Sequence, residues 1–240
     1  MILTEVAKAA RKVLPLKKCG AVIVAAGSSS RMGGIDKVMA PLGGEPMILR
    51  TVRAFQSCSA IKEIVIVTRE DLILPITELC GGFDKVRAVV RGGASRQASV
   101  KLGLSAFTDK MELAAVHDGA RPLISQAVID RTVRAAHTYG GAAPVVPVKD
   151  TIKVYEGGFI ASTPDRETLR AVQTPQVFDL DLLRGALEKA DKDGAAVTDD
   201  CSAVERLGLK IRLVEGEERN LKVTTPMDLK IAEMLLEEEL

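Results

Sequence analysis

The residues most suited to chemistry lie between positions 24 and 37, which read Val24-Ala25-Ala26-Gly27-Ser28-Ser29-Ser30-Arg31-Met32-Gly33-Gly34-Ile35-Asp36-Lys37 and follow the apolar run Gly20-Ala21-Val22-Ile23. A buried strand that empties into small residues and then cations suits a phosphate chain. Small residues let backbone N–H groups approach phosphate oxygens without a Cβ in the way. Arg31 adds a planar fork of donors and Lys37 a movable point charge. The plainer alternative is a strand–loop connection with two surface cations. Neither Gly-x-x-x-x-Gly-Lys-Ser/Thr nor Gly-x-Gly-x-x-Gly occurs here, so the two familiar phosphate fingerprints are both missing.

Five further segments carry candidate groups. Arg91-Gly92-Gly93-Ala94-Ser95-Arg96-Gln97-Ala98-Ser99 puts two glycines before a helix start, where anions are favoured; read plainly, it is a strand–helix turn capped by Ser95. Val116-His117-Asp118-Gly119-Ala120-Arg121-Pro122 places Asp118 and Arg121 three residues apart after an apolar strand. That pair suits Mg²⁺ or a ribose on the carboxylate and a phosphate on the guanidinium, or else an ordinary loop ion pair. His117 reads as a packed histidine and not a base. Asp165-Arg166 with Gln173-Thr174-Pro175-Gln176, Val197-Thr198-Asp199-Asp200, and Asn220-Leu221-Lys222-Val223-Thr224-Thr225-Pro226 each look like turn and cap chemistry when taken alone.

Composition narrows the class. The chain has 240 residues, 47% of them hydrophobic, enough for one large α/β domain with a sizeable core. A net charge of +1 argues against a broad nucleic-acid or membrane surface, so any anion site must be a local cluster of Arg and Lys. Aromatics make up 3%, with no Trp, which leaves little for a platform that stacks single-stranded nucleic acid. Cys19, Cys58, Cys80 and Cys201 are scattered and read as reduced, buried residues of a cytoplasmic protein. Isolated cysteines and two histidines make a built-in zinc site improbable. No apolar stretch is long enough to span a bilayer.

These segments need elements to position them. Apolar runs at 21–25, 63–68, 86–90, 113–117 and 142–148 alternate with helical patterns at 46–56, 72–80, 96–107 and 126–139. The rhythm predicts a single-domain α/β protein with a mainly parallel, twisted sheet flanked by helices. Right-handed crossovers would then bring the loops after successive strands to one edge, where ligands bind. Residues 149–163 break the pattern and read as a protruding β-hairpin arm, with Gly157-Gly158 at its turn. Helices are predicted at 180–189, 199–207 and 226–238, with a strand at 210–214. Residues 1–19 read as a basic amphipathic extension, and 20–240 as the domain proper.

The loop Ala-Ala-Gly-x-x-x-Arg-Met-Gly with its later Lys resembles the signature of the nucleotidyltransferase superfamily. Taken in order, the six segments resemble the 2-C-methyl-D-erythritol 4-phosphate cytidylyltransferase family over residues 20–236. Ribitol-5-phosphate cytidylyltransferases are the nearest alternative within enzymes. The resemblance implies a Rossmann-like nucleotidyltransferase fold, CTP and methylerythritol phosphate as substrates, Mg²⁺ or another divalent cation as cofactor, and a homodimer joined through the arm. It implies catalytic roles for Arg31, Lys37 and Lys222, and nucleotide binding by Ala25, Ala26, Gly27, Gly92, Gly93 and Ser99. It further implies acceptor binding by Asp118, Arg121, Thr151, Arg166, Thr174 and Thr198, with Asp118 also the candidate metal ligand and Thr151 and Arg166 supplied across the dimer. One departure is Asp36 before Lys37 where the family often has Pro; Asp36 could tether or partly neutralise that Lys.

The reaction so implied joins CTP to an acceptor phosphate and releases pyrophosphate. A phosphate monoester is already largely ionised at pH 7, so positioning and charge neutralisation carry the chemistry without a protein base. A non-catalytic nucleotide-binding regulator on the same fold, or a pure interaction protein acting through the hairpin, are the readings of another class. Retention of all three cations argues against both.

Overall fold

The computed structural model describes residues 15–27 and 36–238. The predicted extension before residue 15, and the phosphate loop from 28 to 35 with Arg31, lie outside the described residues.

In chain order the elements are β1 (Cys19–Val24), β2 (Pro41–Leu42), β3 (Glu45–Pro46), α1 (Met47–Ser57), β4 (Ile61–Thr68), α2 (Ile73–Leu79), β5 (Val86–Arg91) and α3 (Arg96–Ser105). Then come β6 (Leu113–Asp118), α4 (Gln126–Tyr139), β7 (Gly141–Pro147), β8 (Val154–Glu156), β9 (Phe159–Ser162), β10 (Arg170–Val172) and β11 (Gln176–Asp179). The chain closes with α5 (Leu180–Lys192), α6 (Asp200–Glu205), β12 (Arg212–Glu215) and α7 (Pro226–Glu237).

The central sheet runs β10-β7-β11-β6-β1-β4-β5, with β12 also on β7. β1 pairs in parallel with β4 and β6, β4 with β5, and β7 with β12. β11 is antiparallel to both β6 and β7, and β10 to β7. Six strands therefore share one direction and two oppose it, a mostly parallel sheet as the strand–helix rhythm predicts. The insertion of β11 between β6 and β7 is what that rhythm misses. Its segment contains Thr174-Pro175, which reads locally as a turn, and only pairing with distant strands makes 170–179 extended. Gln173 N–H donates to Pro144 O at 2.8 Å, so the edge of β7 stays paired across the break between β10 and β11.

Alternation along the strands sorts the core into two layers. Ala21, Ile23, Ile64, Ile66 and Ala115 point to one face and meet Val52 and Phe55 of α1, Ile76 of α2 and Val128 and Val133 of α4. Val22, Val65, Val67, Ala114 and Val116 point to the other and meet Val100 and Leu104 of α3, Leu183 and Leu187 of α5 and Val204 of α6. Helix ends follow the local sequence. Ser95 and Ser125 accept the third N–H of α3 and α4, Gly140 stops α4 with φ +83°, and Thr225 with Asp228 forms a capping box on α7 behind Pro226.

The predicted hairpin is present as β8 and β9, joined by Gly157 (φ +57°) and Gly158 (φ +92°). Positive φ at both central turn positions is the requirement of a type I′ turn. Its Tyr155, Phe159 and Ile160 are 76%, 80% and 67% exposed, so this two-stranded unit stands away from the core. A short hairpin, β2–β3, is absent from the sequence prediction; Gly43 and Gly44 turn it, and α7 covers it through a third apolar cluster that includes Leu42, Met47, Leu123 and Ala232.

Gly103 shows how closely α3 lies on the sheet. A Cβ there would sit 2.5 Å from Val22 Cγ1 and 2.9 Å from Val67 Cγ2. Ala in place of Gly favours a helix by about 1 kcal/mol, while overpacking a core costs about 1–3 kcal/mol. Gly103→Ala is therefore expected to lower stability, measured as an earlier chemical denaturation midpoint with an unchanged slope. A stabilised variant would show that the α3–sheet contact is looser than described.

Candidate active site at the strand ends

Three strand ends build one cleft. β1 delivers Ala25, Ala26 and Gly27, β5 leads into Gly92 and Gly93, and β6 ends on Asp118. The loops are cross-braced by backbone: Ala25 N–H donates to Val67 O at 2.7 Å, Gly92 N–H to Thr68 O at 2.7 Å and Gly119 N–H to Val24 O at 2.8 Å. The cleft holds about 390 Å³. Its walls include Ala25–Gly27 on one side and Gly93, Ser95 and Ser99 on the other, with Lys37, Asp118 and Lys222 around them.

The two glycines serve contact between protein segments. A Cβ on Gly92 would collide with the Ala26 side chain, and one on Gly93 would sit 2.5 Å from Ala98 Cβ. Ser99 is likewise engaged within the chain: its hydroxyl donates to Ser95 O at 2.9 Å and accepts from Gly93 N–H at 3.1 Å. The result is a narrow slot lined by small residues and backbone. Asp36 directs its carboxylate to Arg69 Nη1 at 2.5 Å and to Val38 N–H at 3.1 Å, so it braces the turn that carries Lys37.

Asp118 is the electrostatic centre of the cleft. Its Oδ2 is 2.8 Å from Lys222 Nζ and 3.8 Å from Arg121 Nε, and its Oδ1 is 3.7 Å from Arg96 Nε. Burial pushes the carboxyl up, but Lys222, Arg96 and Arg121 outweigh it and hold the pKa at about 2. Arg96 also reaches back, Nη2 to Oδ2 of Asp200 at 2.8 Å, and Asp200 is only 1% exposed. Burial pushes the Asp200 carboxyl up, partly offset by Arg96.

Beneath this centre lies a buried polar network. Asp118 N–H donates to Thr174 Oγ1 at 3.1 Å, and Thr174 Oγ1 is 3.0 Å from His117 Nδ1. His117 Nε2 is 3.2 Å from Arg121 O, which can only accept, so Nε2 carries the proton and Nδ1 accepts from Thr174. Arg121 Nη1 donates to Asn220 O at 2.6 Å, and Asn220 Nδ2 donates to Thr174 O at 3.0 Å and to Gln173 Oε1 at 3.2 Å. Arg121 and Asn220 thereby tie the loop after β6 to the segment that presents Lys222.

The structure thus gathers Ala25, Ala26, Gly27, Lys37, Gly93, Ser99, Asp118 and Lys222 around one cleft, with Gly92, Arg121 and Thr174 immediately behind it. Three predicted residues lie elsewhere in the chain. Thr198 lines a second groove of about 760 Å³ with Val145, Val172 and Leu213. Thr151 is exposed in the segment after β7 that leads into the hairpin, and Arg166, also exposed, donates Nη1 to Lys149 O at 2.9 Å. Sequence reading passes over Arg96 and Asp200 as site members, although both stand inside quoted segments. The one available signal is the doubled acid Asp199-Asp200 at a helix start, where a single cap residue suffices.

This arrangement suits a nucleotide and an anionic acceptor. It offers small-residue loops with free approach for a base and ribose, and cations from three segments. Among the described residues no group of three or more His, Cys, Asp or Glu side chains could hold a metal ion. Asp118, the carboxylate of the cleft, is already compensated by cations. That donor set fits a divalent ion arriving on the phosphates better than one caged by protein alone.

Comparisons with known proteins agree in direction. The family model IspD, 2-C-methyl-D-erythritol 4-phosphate cytidylyltransferase, matches residues 19–238. A protein of that name from Caldanaerobacter subterraneus subsp. tengcongensis is 45% identical over 225 residues, covering 90% of this chain and 97% of the relative. One from Symbiobacterium thermophilum is 46% identical over 220 residues, covering 91% and 92%. The crystal structure of 4-diphosphocytidyl-2C-methyl-D-erythritol synthase from Anaerococcus prevotii superposes with a TM-score of 0.84 at 30% identity, covering 92% of this chain and 96% of that one.

Burial depresses the His117 imidazole from 6.5 to about 4. A folded pKa below the unfolded one means that the unfolded chain takes up the proton first as pH falls. Stability held by neutral His117 is therefore complete above pH 6.5 and is lost between 6.5 and about 4. Thermal midpoints of the parent chain are expected to drop across this window, and those of His117→Gln to drop less. Parallel curves for the two proteins would remove His117 as the cause.

Proposed function

This chain belongs to the 2-C-methyl-D-erythritol 4-phosphate cytidylyltransferase family, and from that premise we propose that the cleft at the ends of β1, β5 and β6 is where CTP and methylerythritol phosphate meet. The enzyme is a nucleotidyltransferase of non-mevalonate isoprenoid biosynthesis. It transfers CMP from CTP to 2-C-methyl-D-erythritol 4-phosphate, giving 4-diphosphocytidyl-2-C-methyl-D-erythritol and pyrophosphate. The observation that carries the site assignment is Lys222 Nζ held 2.8 Å from Asp118 in a cleft walled by the Ala25–Gly27 and Gly93–Ser99 loops.

In the reaction, an acceptor phosphate oxygen attacks the α-phosphorus of CTP in line. The new bond is P–O to the acceptor, and the bond broken is the α–β phosphoanhydride, whose electrons leave on pyrophosphate. The obstacle is bringing two polyanions together, so cations placed beforehand supply most of the effect. Ala25, Ala26, Gly27, Gly92, Gly93 and Ser99 shape the cytidine slot. Arg31 and Lys37 neutralise the triphosphate and the departing pyrophosphate. Lys222 brings the α-phosphate and the attacking phosphate together, while Asp118, Arg121 and Thr174 shape the acceptor side. Neutral, buried His117 is no base, and an ionised phosphate monoester needs none. Mg²⁺ would be carried by the nucleotide, with Asp118 the residue facing it, and would supply further charge neutralisation.

The second part of the proposal is a homodimer in which Thr151 and Arg166 complete the neighbouring site. Tyr155, Phe159 and Ile160 support it: an isolated two-stranded hairpin is marginal in water, and one that displays three large apolar side chains needs a partner surface. Buried, unpaired Cys19, Cys58, Cys80 and Cys201 agree with a cytoplasmic setting.

Pyrophosphate release with CTP and Mg²⁺, offering methylerythritol 4-phosphate and ribitol 5-phosphate side by side, tests the site. Lys37→Ala and Lys222→Ala are each expected to lower turnover by about 10²–10³ with the fold intact; near-normal turnover in both would overturn the assignment. Deletion of 153–160 is expected to give monomers without activity, read by light scattering and the same assay. A fully active monomer would refute both the dimer and the shared site.

A further inference from the structure

Lys222 presents a problem that the rest of the site must solve. Its ammonium spends one of its three donors on Asp118 Oδ2 at 2.8 Å, and turning toward a substrate phosphate draws its charge away from that carboxylate. The side chain of Asp118 is 12% exposed, so losing its nearest counter-charge when Lys222 turns away is unfavourable unless the remaining cations stay close.

Arg96 stands where a replacement charge is needed. It is the first residue of α3, lines the cleft, and approaches Asp118 on Oδ1, the oxygen that Lys222 does not use. The distance is 3.7 Å, close enough for attraction but too long for a hydrogen bond. What holds it there is Asp200, 1% exposed and 2.8 Å from Arg96 Nη2. Asp200 is in turn fixed at the start of α6. The Asp199–Ser202 capping box sets that helix start, and Gln176 Oε1 accepts Cys201 N–H at 3.0 Å. Without Asp200, Arg96 could close on Asp118 as a bidentate pair and compete with Lys222. Arg121 flanks the other oxygen, Oδ2, at 3.8 Å, and its guanidinium is tied through Nη1 to Asn220 O.

We propose that Arg96, anchored on buried Asp200, is a positioning residue that keeps Asp118 compensated, so that Lys222 can leave it for the substrate phosphates. The inference rests on the reading that Lys222 engages those phosphates. Arg96 acts through Asp118 and Lys222, and its charge matters to the reaction as well as to the fold.

The test compares the full-length enzyme with the neutral pair Arg96→Gln/Asp200→Asn, the single variants Arg96→Lys and Arg96→Gln, and Lys222→Ala. Each is assayed for kcat, for KM with CTP and for thermal midpoint with and without CTP. A purely structural ion pair would be replaced adequately by a neutral hydrogen-bonded pair. The proposal instead expects the neutral pair to fold and to be stabilised by CTP, with KM within about threefold of the parent and kcat lower by about 10²-fold. Arg96→Lys is expected to keep kcat within about tenfold of the parent, because it keeps the charge. A neutral pair with parental kcat would overturn the inference. If the neutral pair does not fold, Arg96→Gln with a kcat equal to that of Arg96→Lys would overturn it. Parental turnover by Lys222→Ala would instead remove the underlying reading of Lys222, a result distinct from a normal neutral pair beside an inactive Lys222→Ala.

Discussion

One carboxylate organises this molecule. Asp118 stands at the end of β6, next to β1 in the middle of the sheet, and draws cations from three separate segments: Arg96 of α3, Arg121 of the loop after β6, and Lys222 before α7. A partly buried anion needs compensation, and here the compensation comes from residues up to about a hundred positions away in the chain. The tertiary structure around the cleft can be read as the means of keeping those charges apart from one another and close to Asp118.

The polar network below the cleft follows from the same constraint. Gln173, Thr174, His117 and Asn220 are all buried, which is costly unless each polar atom finds a partner. They find most of them in one another and in backbone groups. Thr174 accepts from Asp118 N–H and donates to His117, and Asn220 binds Gln173, Thr174 O and, through its carbonyl, Arg121. Such a network is rigid because each member has few alternatives. Rigidity here fixes the ends of two loops that would otherwise move independently, the one carrying Asp118 and the one carrying Lys222.

The glycines of the cleft obey a packing rule as much as a ligand rule. Gly92 and Gly93 permit the β5 loop to lie against Ala26 and Ala98, and Ser99 pins the loop by its hydroxyl. The small-residue character that reads as room for a phosphate or a base is also what lets two protein loops touch. Both uses act together: close contact between the loops makes the slot narrow and directs their backbone into it.

Much of this was legible in the sequence. Apolar runs and capped, 3.6-periodic helices gave six of the sheet's eight strands and the main helices, because those signals are local. The hairpin with Gly157-Gly158 was legible for the same reason, since its turn needs positive φ at two adjacent residues. The segments after strands were legible as candidates, because the handedness of strand–helix connections sends them to one edge. The tertiary structure alone decided the rest. Residues 170–179 become strands only by pairing with β7 and β6. Thr174 turns out to be bonded beneath Asp118, while Thr198 lines another groove. Arg96 and Asp200 carry no local mark of a buried ion pair, because pairing depends on which segments the fold brings within 3 Å. A sequence specifies which groups are available and where a backbone can bend; the distances that turn charges into a site exist only once the sheet is assembled.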